Sequence, residues 1–121
     1  MPIRIDNSRP VYLQIEEYIR NAVITNIYPP GSRIPTVREL AATMKVNPNT
    51  VQRAMTELEQ QGLLLTNGTL GKVVTSDGDI IDSVRQAAIQ SAVKESATRF
   101  SALGLSMQDA AQLLLLQEKE V

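Results

Sequence analysis

Two short amphipathic segments, separated by a tight link, constrain the fold of this chain more than any other feature. The first opens with Thr36 and has Glu39 three residues later, so each side chain can accept a hydrogen bond from the other's backbone N–H in a capping box. Apolar residues then recur at positions i, i+3, i+4 and i+7, namely Val37, Leu40, Ala41 and Met44. This spacing places them on one face and predicts a helix with one buried side.

The second segment begins at Asn47, which predicts an N-cap because Pro48 suits the first helical position. Its apolar residues repeat the spacing of the first segment, and Gly62 predicts a left-handed stop. Two short helices joined by about three residues are typical of a helix-turn-helix, whose second helix enters the major groove of DNA. The apolar residues of the second helix are Val51, Ala54, Met55 and Leu58.

The opposite face of the second helix carries the residue types that read DNA: Asn49, Gln52, Arg53 and Thr56. Arginine can donate two hydrogen bonds to guanine, and glutamine or asparagine can bind adenine. Threonine or the helix N-terminus, here near Thr50, can hold a phosphate. These residues alone leave a second interpretation open, a plain helical hairpin with a solvated outer face.

The composition of the 121 residues disfavours an enzyme. The hydrophobic content of 43% suffices for the core of one ordinary domain with an appendage. The chain has no cysteine and no histidine, so it lacks thiolate ligands, the commonest general base and the commonest metal ligand. We therefore expect no catalytic site, no metal and no cofactor. Because the first residues lack a signal-like apolar region and no stretch approaches about 20 apolar residues, we expect a soluble cytoplasmic protein.

The charge is distributed unevenly. The net charge is −1 and the pI is near 5.4, which by itself argues against a general nucleic-acid binder. Residues 1–76 carry eight cations against six acids, giving +2, whereas residues 77–121 carry four against seven, giving −3. Residues 33–56 hold Arg33, Arg38, Lys45 and Arg53 with only Glu39 opposing them, which predicts a patch facing phosphates.

The residues before this motif predict an arm, a helix and a loop. Ile3 to Asp6 could form a short extended arm, and Pro10 predicts the first turn of a helix. The stretch from Ile27 to Pro35, with three prolines and Gly31, predicts a stiff loop. Tyr12, Ile15, Ile19, Ala22 and Val23 recur at helical spacing as a core face, with Glu16, Glu17 and Arg20 outward.

The residues after the motif predict a β-hairpin, since Asn67-Gly68 is a strong turn signal between two short apolar runs. A helix, a helix-turn-helix and a hairpin in this order make a winged helix-turn-helix. The tip of the wing could touch a minor groove or a phosphate, and Lys72 is the only cation there.

The tail predicts two helices and a contact with a second copy of the chain. A polar linker at 77–79 precedes a helix from about 80 to 103, which Gly104 ends. Ser106 and Asp109 resemble another capping box. The leucines that follow span the whole circumference of their helix, so a 45-residue hairpin cannot bury them all. We expect dimerisation through Ile89, Val93, Phe100, Leu113, Leu114, Leu115 and Leu116; the alternative is that they pack only on the DNA-binding domain of the same chain.

Three stretches carry a resemblance to a known family: PVYLQI at 10–15, PPGSRIPTVRELA at 29–41 and VNPNTVQRAMTELEQQGLL at 46–64. They resemble the GntR-type bacterial transcription regulators, and the short tail resembles the YtrA-like branch, which ends in a small helical dimerisation segment. The wing differs, because only Gly71 matches the family's Arg-Arg-Gly-x-Gly. Gln52 stands where many relatives have arginine, which should change base preference. The resemblance implies DNA-binding roles for Arg38, Asn49, Thr50, Gln52 and Arg53.

We therefore predict a mainly α fold with a small hairpin wing: a winged helix-turn-helix domain at 1–76 and a helical dimerisation tail at 77–121. The predicted function is a homodimeric transcription regulator, a repressor by default, on double-stranded DNA with a near-palindromic operator. The resemblance also implies control of a transporter operon. A winged helix used only for protein contact is the alternative, and metal capture by Asp77, Asp79 and Asp82 is a weaker one. The predicted DNA-binding residues are Arg33, Thr36, Arg38, Asn47, Asn49, Thr50, Gln52, Arg53, Gly71 and Lys72.

Overall fold

The structure is a computed structural model that describes residues 4–120, without the side chains of residues 119 and 120. Five helices and one hairpin confirm the predicted fold class. Ile3 of the predicted arm lies outside the described residues, and residues 4–6 have no regular secondary structure. The elements are α1 (Val11–Ile24), α2 (Val37–Met44), α3 (Pro48–Gln60), β1 (Leu64–Asn67), a 3-10 turn (Gly68–Leu70), β2 (Gly71–Val74), α4 (Gly78–Ala102) and α5 (Met107–Glu120).

Side-chain caps begin the two motif helices, as the sequence predicts. The hydroxyl of Thr36 accepts a hydrogen bond from the Glu39 N–H at 3.1 Å, and the Glu39 carboxylate accepts one from the Thr36 N–H at 3.0 Å. The side chain of Asn47 accepts from the Asn49 N–H at 2.8 Å and begins α3. Lys45 ends α2 in the left-handed conformation, with a φ of 58°.

One hydrophobic core holds the first three helices and the hairpin together. On α3 the four predicted apolar residues are each fully buried, at 0% exposure. Burying a side chain of this size contributes roughly 1.5 to 3 kcal/mol, so the orientation of α3 about its own axis is strongly determined. The polar face of α3 is consequently turned outward. The core residues include Ile15, Ile19, Val23, Ile34, Leu40, Met44, Val51, Ala54, Met55, Leu58, Leu63, Leu64 and Val74.

Glu16 corrects the predicted outer face of α1. Its side chain is only 5% exposed and pairs with Arg20 at 2.8 Å, and it accepts a hydrogen bond from Gln61 at 3.0 Å. Gln61 follows α3, so this side of α1 packs against α3 rather than facing water. Periodicity within α1 cannot reveal a neighbouring helix, and the outward assignment of Glu16 was wrong.

The wing is a two-stranded antiparallel sheet in which Leu64 pairs with Val74 and Asn67 with Gly71. Its turn is the 3-10 turn rather than the two central residues Asn67 and Gly68. The segment 31–34, predicted as loop, pairs with the other side of β2. The Val74 N–H donates to the Ser32 carbonyl at 2.8 Å, and the Ile34 N–H donates to the Lys72 carbonyl at 3.0 Å. These bonds tie the entry to α2 directly to the wing.

The described chain forms two compact units that divide between Arg85 and Gln86. The first turns of α4 belong to the first unit, because Ile81 is buried in its core and Arg85 donates to the Ile24 carbonyl at 3.0 Å. Within the second unit, Gly104 has a φ of 77° after α4, and the Ser106 hydroxyl accepts from the Asp109 N–H at 3.1 Å at the start of α5. In residues 4–120, no helix has both the length and the apolar character needed to cross a membrane.

Candidate nucleic-acid interface

The exposed face of α3 is the centre of the candidate site. Asn49, Gln52, Arg53 and Thr56 are all exposed, opposite the buried stripe, and Thr50 is half-buried beside them. The Gln52 amide donates to the Thr56 hydroxyl at 3.2 Å, on the exposed surface. Such a bond can be exchanged for one to a base edge at little cost, because both groups already contact water. This face can therefore offer amide and guanidinium donors to a major groove.

The exposed cations of α2 and its two ends are further candidates for the interface. Arg38 and Lys45 are exposed, and neither forms a hydrogen bond or ion pair through its side chain with another described residue. Arg33 lies 3.6 Å from the Glu39 carboxylate, with both side chains more than half exposed. Hydrogen bonds from Thr36, first from its backbone N–H and then from its hydroxyl, lower the pKa of Glu39, and Arg33 adds a smaller effect. Glu39 is thus committed to capping, and Arg38 and Lys45 keep their charges for a partner.

Arg53 contacts two other side chains of the protein. Its guanidinium lies over the ring of Tyr12 on α1, 3.6 Å from the ring centroid, and its Nε is 3.9 Å from the Glu57 carboxylate. The sequence predicted Tyr12 as a core residue, whereas the structure leaves it half-buried beneath Arg53. Position 12 matches the apolar stripe of α1, so no local signal separates the two roles.

Lys72 of the wing is paired within the protein. Its ammonium donates to the Glu59 carboxylate at 2.9 Å and to the Thr66 hydroxyl at 2.7 Å. Thr66 in turn donates to Glu59, and the hydrogen bonds from Thr66 and Lys72 together lower the pKa of Glu59. Gly71 adopts a φ of 83° at the tip. The structure therefore separates Lys72 from the unpaired cations of α2, and residues 65–71 carry no charged side chain.

Two of the predicted contact residues serve as helix caps. The side chains of Thr36 and Asn47 accept backbone hydrogen bonds at the starts of α2 and α3. Another residue that sequence reasoning missed is Gln14, which is 4% exposed. Its side-chain amide donates a hydrogen bond to the Asp6 carbonyl at 2.8 Å and accepts one from the Asp6 N–H at 3.1 Å. These hydrogen bonds hold the N-terminal segment against α1. The only sequence signal for them was a glutamine beside the apolar stripe of α1.

The acidic residues at the start of α4 are used in local contacts. Asp77 accepts from the Asp79 N–H at 3.0 Å, and Asp82 pairs with Arg85 at 2.6 Å. Among the described residues there is no group of three or more acidic, histidine or cysteine side chains that could hold a metal ion.

The second unit exposes the residues predicted for dimerisation. Each of Leu113 to Leu116 is at least 50% exposed, and Val93 is 63% exposed. A groove of about 300 Å³ runs between α4 and α5 and brings together Val93, Phe100 and Leu114, which lie beside Met107 and several alanines. Ile89, Leu113, Leu115 and Leu116 do not line this groove.

The family described as "Bacterial regulatory proteins, gntR family" matches residues 11–74, from the start of α1 to the end of β2. The chain belongs to the GntR family. The match covers the three helices and the wing, so the helix-turn-helix is the DNA-binding motif of this family rather than a plain hairpin.

One of two similar relatives extends the match to the tail. The HTH-type transcriptional regulator Rv1152 of Mycobacterium tuberculosis is 37% identical over 114 residues, covering 93% of this chain and 90% of the relative. The HTH-type transcriptional repressor YtrA of Bacillus subtilis is 42% identical over 66 residues, covering 53% of this chain and 51% of YtrA. These relatives place the chain among the GntR regulators of the YtrA-like branch, which are transcription regulators and not enzymes.

Solved structures agree with this assignment. A GntR family transcriptional regulator from Listeria monocytogenes superposes with a TM-score of 0.80 at 32% identity, covering 97% of this chain and 99% of the other. The DNA-binding domain of AraR in complex with operator ORX1 gives a TM-score of 0.54 at 26% identity, covering 62% of this chain and 99% of that domain. The GntR fold of this chain is thus one that occurs in a complex with operator DNA.

Proposed function

We propose that this GntR regulator is a repressor that binds a near-palindromic operator as a homodimer, with one α3 helix in the major groove of each half-site. The observation that supports this most strongly is the division of α3, whose apolar residues are fully buried while Asn49, Gln52, Arg53 and Thr56 face outward. A helix fixed in this way presents one unchanging set of donors to a groove.

The proposal gives the residues different roles. Asn49, Gln52 and Arg53 read base edges, and each good pair contributes about 1 to 3 kcal/mol of discrimination. Arg33 and Arg38 neutralise phosphates, and Thr50 with the N-terminal N–H groups of α3 holds another. Thr36 and Asn47 support these contacts through their caps. Gly71 and Lys72 bring the wing to the backbone, where Lys72 would have to exchange Glu59 for a phosphate.

Dimerisation is proposed through the second unit, with a second copy as the partner. Its support is the number of large apolar side chains that α4 and α5 leave exposed, namely Ile89, Val93 and the four leucines, because exposed apolar surface on this scale marks sites of protein–protein contact. Joining two DNA-binding units makes the second contact intramolecular and can raise avidity by about 10² to 10⁴. The resemblance to the YtrA-like branch supports a neighbouring transporter operon as the regulated target.

The test uses a duplex that the protein itself selects from a random pool, with binding measured by fluorescence anisotropy. Arg38→Ala should weaken binding by about 1.5 to 3 kcal/mol, on the order of ten- to a hundredfold, because an exposed charged donor is removed. The matched control is Lys94→Ala, which removes one exposed cation outside the motif helices. The affinity of the parent should also fall more steeply with salt than that of Arg38→Ala. The slopes of log K against log salt concentration should differ by about 0.9 for each phosphate that Arg38 neutralises.

If Arg38→Ala and Lys94→Ala bound equally well, the phosphate role of Arg38 would be wrong. If the parent selected no duplex at all, the proposal would fail as a whole, and the winged helix would be better explained as a protein-contact module.

A further inference from the structure

The guanidinium of Arg53 is held from two sides by protein groups. The ring of Tyr12 lies against it at 3.6 Å, and Glu57, one turn further along α3, approaches its Nε at 3.9 Å. The side chain is otherwise open, with 59% of its surface exposed. Because Tyr12 belongs to α1, the contact connects the exposed face of α3 to a helix outside the helix-turn-helix.

The geometry leaves the terminal N–H donors of the guanidinium free to bind a partner. A guanidinium carries its N–H donors in its plane, whereas an aromatic ring covers one of its faces. Glu57 lies nearest Nε, and the two terminal nitrogens of Arg53 make no hydrogen bond to any other described residue. Two parallel terminal donors match the O6 and N7 acceptors of guanine in the major groove.

A ring beneath the guanidinium also reduces the entropic cost of binding. Arginine has many rotamers, and ordering it on a target lowers affinity unless the free side chain is already restricted. Apart from the long contact with Glu57, no other described residue forms a hydrogen bond or ion pair with the outward part of Arg53. The restriction therefore comes mainly from Tyr12.

We infer that Tyr12 is a positioning residue that orients the Arg53 guanidinium toward a guanine in the major groove. Through Tyr12, α1 contributes to base readout without itself entering the groove. This role rests on the proposed DNA-binding function, which it deepens by assigning one determinant of base preference.

The experiment uses the full chain and a double-mutant cycle of Tyr12→Leu and Arg53→Ala, with binding measured on the selected duplex and on duplexes that vary one base pair at a time. Tyr12→Leu should weaken binding about two- to fivefold, the size expected for an exposed cation–π contact, and should relax preference at the same base pair as Arg53→Ala. In the Arg53→Ala background, Tyr12→Leu should have no further effect. Tyr12→Phe keeps the ring and should bind within about twofold of the parent.

Two controls separate positioning from general effects on the fold. Tyr18→Leu makes the same chemical change on the same helix and should leave base preference unchanged. In NMR spectra without DNA, the side-chain protons of Arg53 should be shifted upfield by the Tyr12 ring, and this shift should persist in Tyr12→Phe and vanish in Tyr12→Leu.

If Tyr12→Leu lowered the affinity equally in the parent and in the Arg53→Ala background, the inference would be overturned. The ring would then act through the fold or through its own contact with DNA. An Arg53→Ala variant that binds like the parent would overturn it together with the base-reading role of Arg53, while the proposal of a DNA-binding homodimeric repressor would stand. A parent that selects no duplex would overturn both.

Discussion

At the scale of single residues, the most unusual group is the buried carboxyl of Glu16 between α1 and α3. Burial is the largest effect that raises the pKa of Glu16, followed by a hydrogen bond with Glu57, whereas Gln61 and Arg20 act in the opposite direction. When Glu16 is ionised, its Oε2 has no hydrogen-bond partner among the described residues. A proton on Glu16 would supply one, because it could be donated to Glu57. The site therefore favours the protonated form more than the unfolded chain does.

The sign of the pH dependence follows from this raised pKa. The stability contributed by protonated Glu16 is fully present below the ordinary glutamate pKa and is lost as the pH rises through the raised pKa of the folded state. Glu16→Gln keeps a neutral donor at this position, so the free energy of unfolding of the variant should increase relative to that of the parent as the pH rises from the ordinary glutamate pKa through the raised one. Urea unfolding at several pH values measures the difference.

The control for Glu16 is Glu17→Gln, which removes one carboxylate from an exposed position of the same helix. A parent and a Glu16→Gln variant whose difference in stability stays constant over this pH range would contradict the raised pKa.

At the scale of elements, the link between α2 and α3 determines how the site is presented. Lys45 adopts a φ of 58°, where a residue with a Cβ is strained and glycine is not. The Val46 N–H donates to the Ala41 carbonyl at 3.1 Å and closes the end of α2. A lysine therefore occupies a position that backbone geometry alone would assign to glycine. Its ammonium is exposed, so it can neutralise a phosphate, which offers a reason for a cation at this position.

Two substitutions at position 45 separate backbone strain from charge. Lys45→Gly should raise the free energy of unfolding by about 0.5 to 1 kcal/mol, because glycine relieves the left-handed strain. Lys45→Ala keeps the strain and should not raise it. Both variants lose the cation, so both should bind the selected duplex more weakly and to a similar extent. Thermal unfolding and anisotropy on the same samples check this, and a Lys45→Gly variant that was stabilised yet bound at full strength would remove Lys45 from the interface.

At the scale of the whole molecule, α4 belongs to both compact units. Its beginning completes the first unit, since Ile81 is 5% exposed and Val84 packs on the same core. The guanidinium of Arg85 also binds the Ile24 carbonyl at the end of α1. The polar stretch at 77–79, predicted as a linker, is therefore not the point at which the contacts of the first unit end. The functional division of the chain into a DNA-binding and a dimerising part remains our proposal.

Two truncated chains test where the first unit ends and whether the second unit is responsible for dimerisation. A chain ending at Arg85 should fold stably, whereas one ending at Ser76 should be less stable by at least about 2 kcal/mol, because Ile81 is no longer present to fill the core. The chain ending at Arg85 should sediment as a monomer and show about half the salt slope of the intact protein. Intact protein that sedimented as a monomer at micromolar concentration would contradict dimerisation through the second unit.

The sequence by itself determined the local features of this protein, namely the caps at Thr36 and Asn47, the buried stripes of α2 and α3, the hairpin and the end of α4 at Gly104. Each depends on residues a few positions apart, whose backbone bonding and spacing are readable along the chain. The exposed face of α3 followed from the same periodicity. Most of the fold and the main candidate residues were therefore predictable.

Only the tertiary structure decided which of those residues are free and which are engaged. Arg53 lies on Tyr12, Lys72 binds Glu59, and segment 31–34 pairs with β2. Glu16 meets Gln61 across 45 positions of sequence, and Arg85 meets Ile24 across 61. Such pairs form because burial of the apolar stripes brings distant helices together, and their polar neighbours then meet wherever that packing places them. No local pattern carries that information, since it depends on the relative orientation of whole elements.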